Sequence, residues 1–234
     1  MENSKVKKYW HSSKTPHDLL YGIPKPTKTQ LKSILKEKQV YCDGTYIPII
    51  DLHFKDKKKR TIMEFGSGEG LMAKYMSPHF KKYICVDIVD EFLELCEEHT
   101  ADCKNVDYEL IKDYYFSDFT IKPKSVDIIT STHVLCHCNY FELIIYLRQF
   151  YKLLKKGGII LFDIYNSDQL DWKDDIIVQH TDLYKEHHIL ENLFNPLSST
   201  VLKREIMKLG FEEIFDSVHE NPGGWNLLGF KKIK

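Results

Sequence analysis

At 234 residues the chain is long enough to bury one sizeable core, and its formal net charge of -1 argues against a general grip on nucleic acid while leaving local basic patches open. No apolar run approaches the roughly 20 residues that span a membrane, and Met1 to Lys8 is polar and charged, unlike a secretory signal. Cysteines 42, 85, 96, 103, 136 and 138 are scattered, several within apparent strands or helices, which suits free thiols in a reducing cytoplasm better than a disulfide framework.

Residues 1–56 lack a regular strand and helix rhythm. They hold a Tyr9-Trp10-His11 cluster, a turn around Gly22, Pro24 and Pro26, and a helix predicted over Thr29 to Glu37. Lys55 to Arg60 is a basic run that reads as a solvated connection in preference to a nucleic-acid contact. The apolar strand Thr61 to Phe65 then enters three alternating glycines, Gly66, Gly68 and Gly70, ahead of an amphipathic helix over Leu71 to Phe80. Strand, glycine turn and helix form the ligand-cradling corner of a doubly wound α/β sheet. Glycine serves there because the backbone approaches a ligand that any Cβ would obstruct. Dinucleotide-binding folds space the third glycine differently, three residues after the second. Here the pattern is G-x-G-x-G, with Glu64 two residues before the first glycine. An acid beside the cradle suits a ligand bearing an amine and repels a pyrophosphate.

A second buried strand is predicted over Tyr83 to Ile88, then Asp90 as an N-cap and a helix through Glu98. Strands over Tyr108 to Ile111 and Val126 to Ser131 follow. The helix Tyr140 to Lys155 carries apolar Phe141, Ile144, Ile145, Leu147, Phe150, Leu153 and Leu154, with Gly157-Gly158 as its C-cap signal, and Ile159 to Tyr165 is the fifth strand. Such alternation implies parallel strands with right-handed crossovers. After Asn166 the rhythm breaks and resumes with a helix from Ser198 to Leu209, ending at Gly210. Two strands, Phe211 to Val218 and Trp225 to Lys232, are joined by Asn221-Pro222-Gly223-Gly224, a link too short for anything but an antiparallel pair. The predicted fold is therefore α/β: a doubly wound, mostly parallel seven-stranded sheet with an antiparallel C-terminal hairpin and helices on both faces. Residues 1–56 read as an N-terminal cap. Residues 57–234 read as the main domain, with an insertion at about 166–197.

The acid-x-G-x-G-x-G run from Glu64 to Gly70, the acid Asp87 ending the second strand, and the terminal hairpin resemble the class I S-adenosylmethionine (SAM) dependent methyltransferases. The resemblance covers roughly residues 60–234 and implies SAM as cofactor, with S-adenosylhomocysteine as product. It implies that Glu64 and Gly66 face the methionine end, with Ser67, Gly68 and Gly70 completing the cradle. Asp87, about 20 residues past the glycine turn, would accept from both ribose hydroxyls, and Ile88 would pack on the adenine face. Asp113 would accept from the adenine amino group, with the Tyr114 backbone N–H meeting the ring. Ser131 and Thr132 would line the methionine chain and sulfonium. Asp127, at the start of its strand, reads as structural.

His133 and His137, in Ser131-Thr132-His133-Val134-Leu135-Cys136-His137-Cys138, lie at the carboxyl edge of the sheet and are the candidate general bases. His137 also reads as a helix-start packing residue. C-x-C with no second ligand pair is poor zinc spacing, so no metal is expected. Tyr9, Trp10 and His11 are candidate substrate-side residues of the cap; His180, His187 and His188 are their counterparts in the insertion. The leading reading is a cytoplasmic methyltransferase acting on an oxygen or nitrogen of a small molecule, a sugar or nucleotide-sugar among the fitting acceptors. The alternatives are methylation of RNA or protein, or a catalytically silent, methyltransferase-like partner subunit. An NAD-dependent oxidoreductase ranks last, and the oligomeric state is left open.

Overall fold

The computed structural model describes residues 26–169, 195–217 and 224–234. Tyr9, Trp10, His11, His180, His187 and His188 lie outside the described residues, as do most of the 166–197 insertion and the hairpin turn at 221–223.

Helix α1 (Lys28–Tyr41) starts at a capping box, in which the Thr27 hydroxyl accepts from the Gln30 N–H and the Gln30 side chain accepts from the Thr27 N–H. A π-helical turn (Cys42–Tyr46) leads into α2 (Ile47–His53), and β1 (Thr61–Phe65), α3 (Leu71–Met76) and β2 (Lys82–Asp87) follow. The next elements are α4 (Asp90–His99), β3 (Val106–Leu110), β4 (Val126–Ser131), α5 (Tyr140–Leu153) and β5 (Leu154–Tyr165). Helix α6 (Ser199–Leu209) precedes the hairpin strands β6 (Phe211–Asp216) and β7 (Trp225–Lys232). The seven strands lie in the order β3-β2-β1-β4-β5-β7-β6. β1 to β5 run parallel, while β7 pairs antiparallel with both β5 and β6.

The central strands are buried on both faces, so their apolar residues run nearly without interruption. Met63, Phe65, Ile129, Ile160 and Phe162 pack on Leu143, Leu147 and Phe150 of α5 and on Leu202 and Ile206 of α6. Ile62, Tyr83, Cys85, Ile128 and Leu161 point the other way. They meet Met72, Ala73 and Met76 of α3, Cys96 of α4, and Tyr46, Ile50 and Phe54 of the N-terminal helices.

Three local expectations are corrected. Gly157-Gly158 does not cap α5, which ends at Leu153; both glycines lie in the first, bulged part of β5. There Gly157 takes φ +80°, and a Cβ on Gly158 would sit 2.9 Å from the Asp127 carbonyl oxygen. Asp90 is the first helical residue of α4 rather than its N-cap, and its charge favours the helix N-terminus by its position. Phe141, assigned to the apolar stripe of α5, is 76% exposed, because the Asn139–Glu142 capping box sets a phase that turns it outward.

Candidate active site

At the carboxyl ends of β1, β2 and β4, where open α/β sheets bind ligands, a cavity of about 270 Å³ opens. Its floor is the glycine turn. Gly66, Gly68 and Gly70 all have positive φ (+75°, +52° and +78°), a region costly for residues with a Cβ. The Gly66 and Ser67 N–H groups donate to the Val86 carbonyl at 2.7 and 3.0 Å, and the Gly68 N–H donates to Asp87 Oδ2 at 2.9 Å. These three amides are therefore engaged inside the protein instead of facing a phosphate.

Asp87 is 5% exposed and its carboxylate does more than line the cavity. Oδ1 accepts from the Ile88 and Val89 N–H groups at 2.7 and 3.1 Å while Oδ2 holds Gly68. Glu64 also lines the cavity and is 3% exposed. The Tyr83 hydroxyl donates to its Oε2 at 2.7 Å. Burial pushes the Glu64 carboxyl up to about 7, and the Tyr83 hydrogen bond holds it below where burial alone would leave it.

The structure gathers Glu64, Gly66, Ser67, Gly68, Asp87, Ile88, Thr132, His133 and His137 around this one cavity. Others lie elsewhere. Gly70 is not on the cavity wall: a Cβ there would sit 2.4 Å from the Cys96 sulfur, so its role is close packing of the turn on α4. Ser131 is fully buried behind the wall. Asp113 is turned onto its own chain, accepting the Tyr115 and Ser117 N–H groups at 2.7 and 3.2 Å. An Asp in a turn readily bonds backbone two residues on, and that local bond prevails here. Tyr114 is not on the cavity wall; its hydroxyl donates to Glu142 at 2.6 Å and its ring meets that of Tyr146, a wall residue. Ile111 occupies the wall where Asp113 was expected.

The two histidines differ sharply. His133 has φ +54°, a left-handed backbone uncommon for a side chain of this size. Its N–H donates to both Asp163 oxygens, at 2.8 and 3.0 Å, and its ring meets the Trp225 indole edge-to-face at 4.8 Å. Burial and the Lys38 ammonium lower its pKa, so the imidazole is neutral at pH 7. His137 is pushed down to about 4, first by burial and then by His133, which leaves it a weak base.

Lys38 of α1, the buried carboxylate Glu69, Phe92, Cys138 and Tyr146 also line the wall and were not anticipated. Neither was Tyr46, whose hydroxyl meets Thr132 Oγ1 at 2.6 Å. Asp163 had a legible signal, a lone acid inside the apolar run Ile159 to Tyr165. Among the described residues no group of three or more His, Cys, Asp or Glu is placed to hold a metal ion. No helix among them is long and apolar enough to cross a membrane.

A family model described as "Methyltransferase domain" matches residues 41–214. The ubiquinone biosynthesis O-methyltransferase of Idiomarina loihiensis is 25% identical over 114 residues, which are 48% of this chain and 45% of that protein. The match thus spans under half of that relative's length. Among solved structures, phosphoethanolamine N-methyltransferase 2 of Haemonchus contortus, in complex with SAM, superposes with TM-score 0.62 at 14% identity, over 82% of this chain and 53% of that one. A SAM-dependent methyltransferase from Mesorhizobium loti gives TM-score 0.59 at 13% identity, over 79% and 96%. At such identities these likenesses are of fold.

Proposed function

The chain belongs to the SAM-dependent methyltransferase family, and from that premise we propose that it methylates an oxygen or nitrogen of a small molecule. The observation that carries the reading is the convergence on one cavity of a glycine turn, three buried carboxylates (Glu64, Glu69 and Asp87) and two histidines. This donor set fits SAM. Glu64 suits the amine of the methionine end, and Asp87 keeps lone pairs for the ribose hydroxyls beyond the backbone bonds it makes. Ile88 and Ile111 would offer apolar faces to the adenine, and Thr132 would line the methionine chain.

SAM supplies an already activated methyl group on its sulfonium. The chain's own work is then alignment, exclusion of water and removal of a proton from the acceptor. His133 is the better-placed base, neutral at pH 7 and open on the cavity. His137 is read as a wall residue. Residues 1–56 act as a cap over the site, a reading supported by Lys38 on the cavity wall and by the Tyr46–Thr132 hydrogen bond. Tyr9, Trp10 and His11 would then face the substrate, and residues 166–197 would complete its pocket. Six free thiols, four of them buried, support a reducing, cytoplasmic setting.

Methylation of RNA or protein is the second reading, and the basic run speaks against it. Of its five cations, Lys57 pairs with Asp51 at 2.6 Å, Lys59 with Asp56 at 2.8 Å and Arg60 with Asp127 at 3.4 Å, which offsets part of the charge that would grip a polyanion. Calorimetric titration with SAM and S-adenosylhomocysteine, with NAD as control, tests the cofactor. Micromolar binding of the first two alone is expected, followed by a screen of sugars, nucleotide-sugars, phenols, amines and RNA for methyl transfer. Absence of binding to either sulfur compound would overturn the reading in favour of a silent partner subunit.

A further inference from the structure

Among the described residues, Asp163 is a buried carboxylate that the reaction above leaves without a task. It sits toward the carboxyl end of β5 and is 4% exposed, between Phe162 and Ile164 along an otherwise apolar strand. A carboxylate in that place is costly unless something uses it. Its two oxygens both accept one backbone N–H, that of His133. The residue so held is one of three non-glycine residues with positive φ among those described, and of the three it alone lines the cavity. Backbone strain of this kind persists only where the surroundings over-determine it.

The surroundings here brace one short loop from three sides. Asp163 pulls from β5, the Trp225 ring packs edge-to-face on the imidazole from β7, and the Tyr46 hydroxyl holds Thr132 from the N-terminal helices. Imidazole Nδ1 lies 3.8 Å from Asp163 Oδ2, outside hydrogen-bonding distance but within strong electrostatic reach. The half-exposed imidazole is left facing the cavity while its backbone is locked.

We propose that Asp163 is the positioning residue for His133: its buried carboxylate clamps the strained loop and presents the imidazole to the methyl acceptor. The proposal rests on the reading of His133 as the group that takes the acceptor's proton. On that reading the proton leaves the acceptor O–H or N–H for the imidazole nitrogen as the acceptor gains the methyl group, and the nearby carboxylate stabilises the imidazolium that forms. Asp163 need not be ionised throughout the pH range. Burial pushes its carboxyl up to about 7, against the opposing effect of the His133 N–H.

Several groups share this corner and must be followed together. The imidazole is faced by Asp163 from β5, Trp225 from β7, His137 from its own loop and Lys38 from α1. Asp163 is faced by the Tyr41 and Tyr46 hydroxyls and the Cys136 thiol.

The test is a nuclear magnetic resonance titration of the backbone amides in the full chain, with His133→Gln identifying the resonance. Asp163→Asn keeps an oxygen that accepts the His133 N–H and removes the titrating charge. The His133 amide is expected to shift around pH 7 in the parent and to lose that shift in Asp163→Asn, while S-adenosylhomocysteine binds as in the parent. A shift that survives in Asp163→Asn overturns the proposal. Should Asp163→Asn fail to fold, the parent protein decides the matter. Its His133 backbone amide is expected to shift as Asp163 titrates, and a fixed resonance between about pH 5 and 9 overturns the clamp. The base reading fails separately, if His133→Gln retains turnover with an acceptor found in the screen. Lost turnover in His133→Gln with an amide shift that survives in Asp163→Asn overturns the Asp163 proposal alone.

Discussion

The Asp87 carboxylate accepts the backbone N–H of Gly68 at 2.9 Å, tying the end of β2 to the crown of the turn that follows β1. One side chain thus shapes the cradle and offers charge to whatever lies in it. Asp87→Ala is expected to weaken SAM binding by on the order of tenfold or more, as loss of charge-assisted hydrogen bonds implies. Isothermal calorimetry checks it, and unchanged affinity would sink the ribose assignment.

Glu64 makes stability depend on pH. Its folded pKa is raised to about 7 from 4.5, so the native state holds the proton after the unfolded chain has lost it. The cost of burying the ionised form is absent below the unfolded value and fully present above about 7; stability therefore falls as pH rises through that window. Asp163, raised from 3.8 to about 7, acts with the same sign. Glu64→Gln is expected to recover about 2 kcal/mol at pH 8 and little at pH 4. Urea unfolding of both proteins at the two pH values gives the answer; a parallel decline would show that Glu64 is not the cause. If the SAM amine sits beside Glu64, binding at pH 6.5 should also release a proton, seen as a buffer-dependent enthalpy that Glu64→Gln abolishes.

Two glycines of the turn should separate by phenotype. A Cβ on Gly70 would lie 2.4 Å from Cys96 Sγ and 3.0 Å from its Cα, in a backbone region that also disfavours alanine. Gly70→Ala is expected to lower stability by about 2 kcal/mol or more. A Cβ on Gly66 would lie 2.2 Å from Val134, on the cavity wall, so Gly66→Ala should lower stability as well and in addition impair SAM binding. Thermal melts with and without S-adenosylhomocysteine would distinguish them, and identical behaviour would contradict the division.

Asp127 anchors the opposite edge of the sheet. It is 3% exposed and accepts the Thr61 N–H at 2.9 Å, Lys155 Nζ at 2.6 Å and Arg60 Nη1 at 3.4 Å. Asp127→Ala strands these donors and is expected to destabilise by about 3 kcal/mol. SAM affinity at a temperature where the variant is folded should be unchanged; a loss there would mean that Asp127 reaches the site.

The order of strands and helices was legible because each rests on short-range physics. Buried strands demand unbroken apolar runs such as Tyr83 to Val86, a turn needing positive φ demands glycine, and a linker as short as 217–224 permits only an antiparallel pair. Glu64, Gly66, Gly68 and Asp87 could be named for the same reason, since they sit at fixed offsets from strand ends. Asp113 lies off the cavity wall because two arrangements were open to its carboxylate, and the backbone N–H groups of its own turn engage it. Gly157-Gly158 misled because a glycine pair serves a bulge as well as a cap, and the partner strand decides between them.

What the sequence by itself determined is the sheet, its hairpin, and the acid and glycines at the mouth of the first turn, all local in origin. Only the tertiary structure decided that Asp163 would meet His133 30 residues away along the chain, or that Tyr46 would reach Thr132 across 86. It also decided that Lys38 would share a wall with Asp87. Such pairings depend on which faces of separate elements come to lie together, and that is set by burial of the whole core.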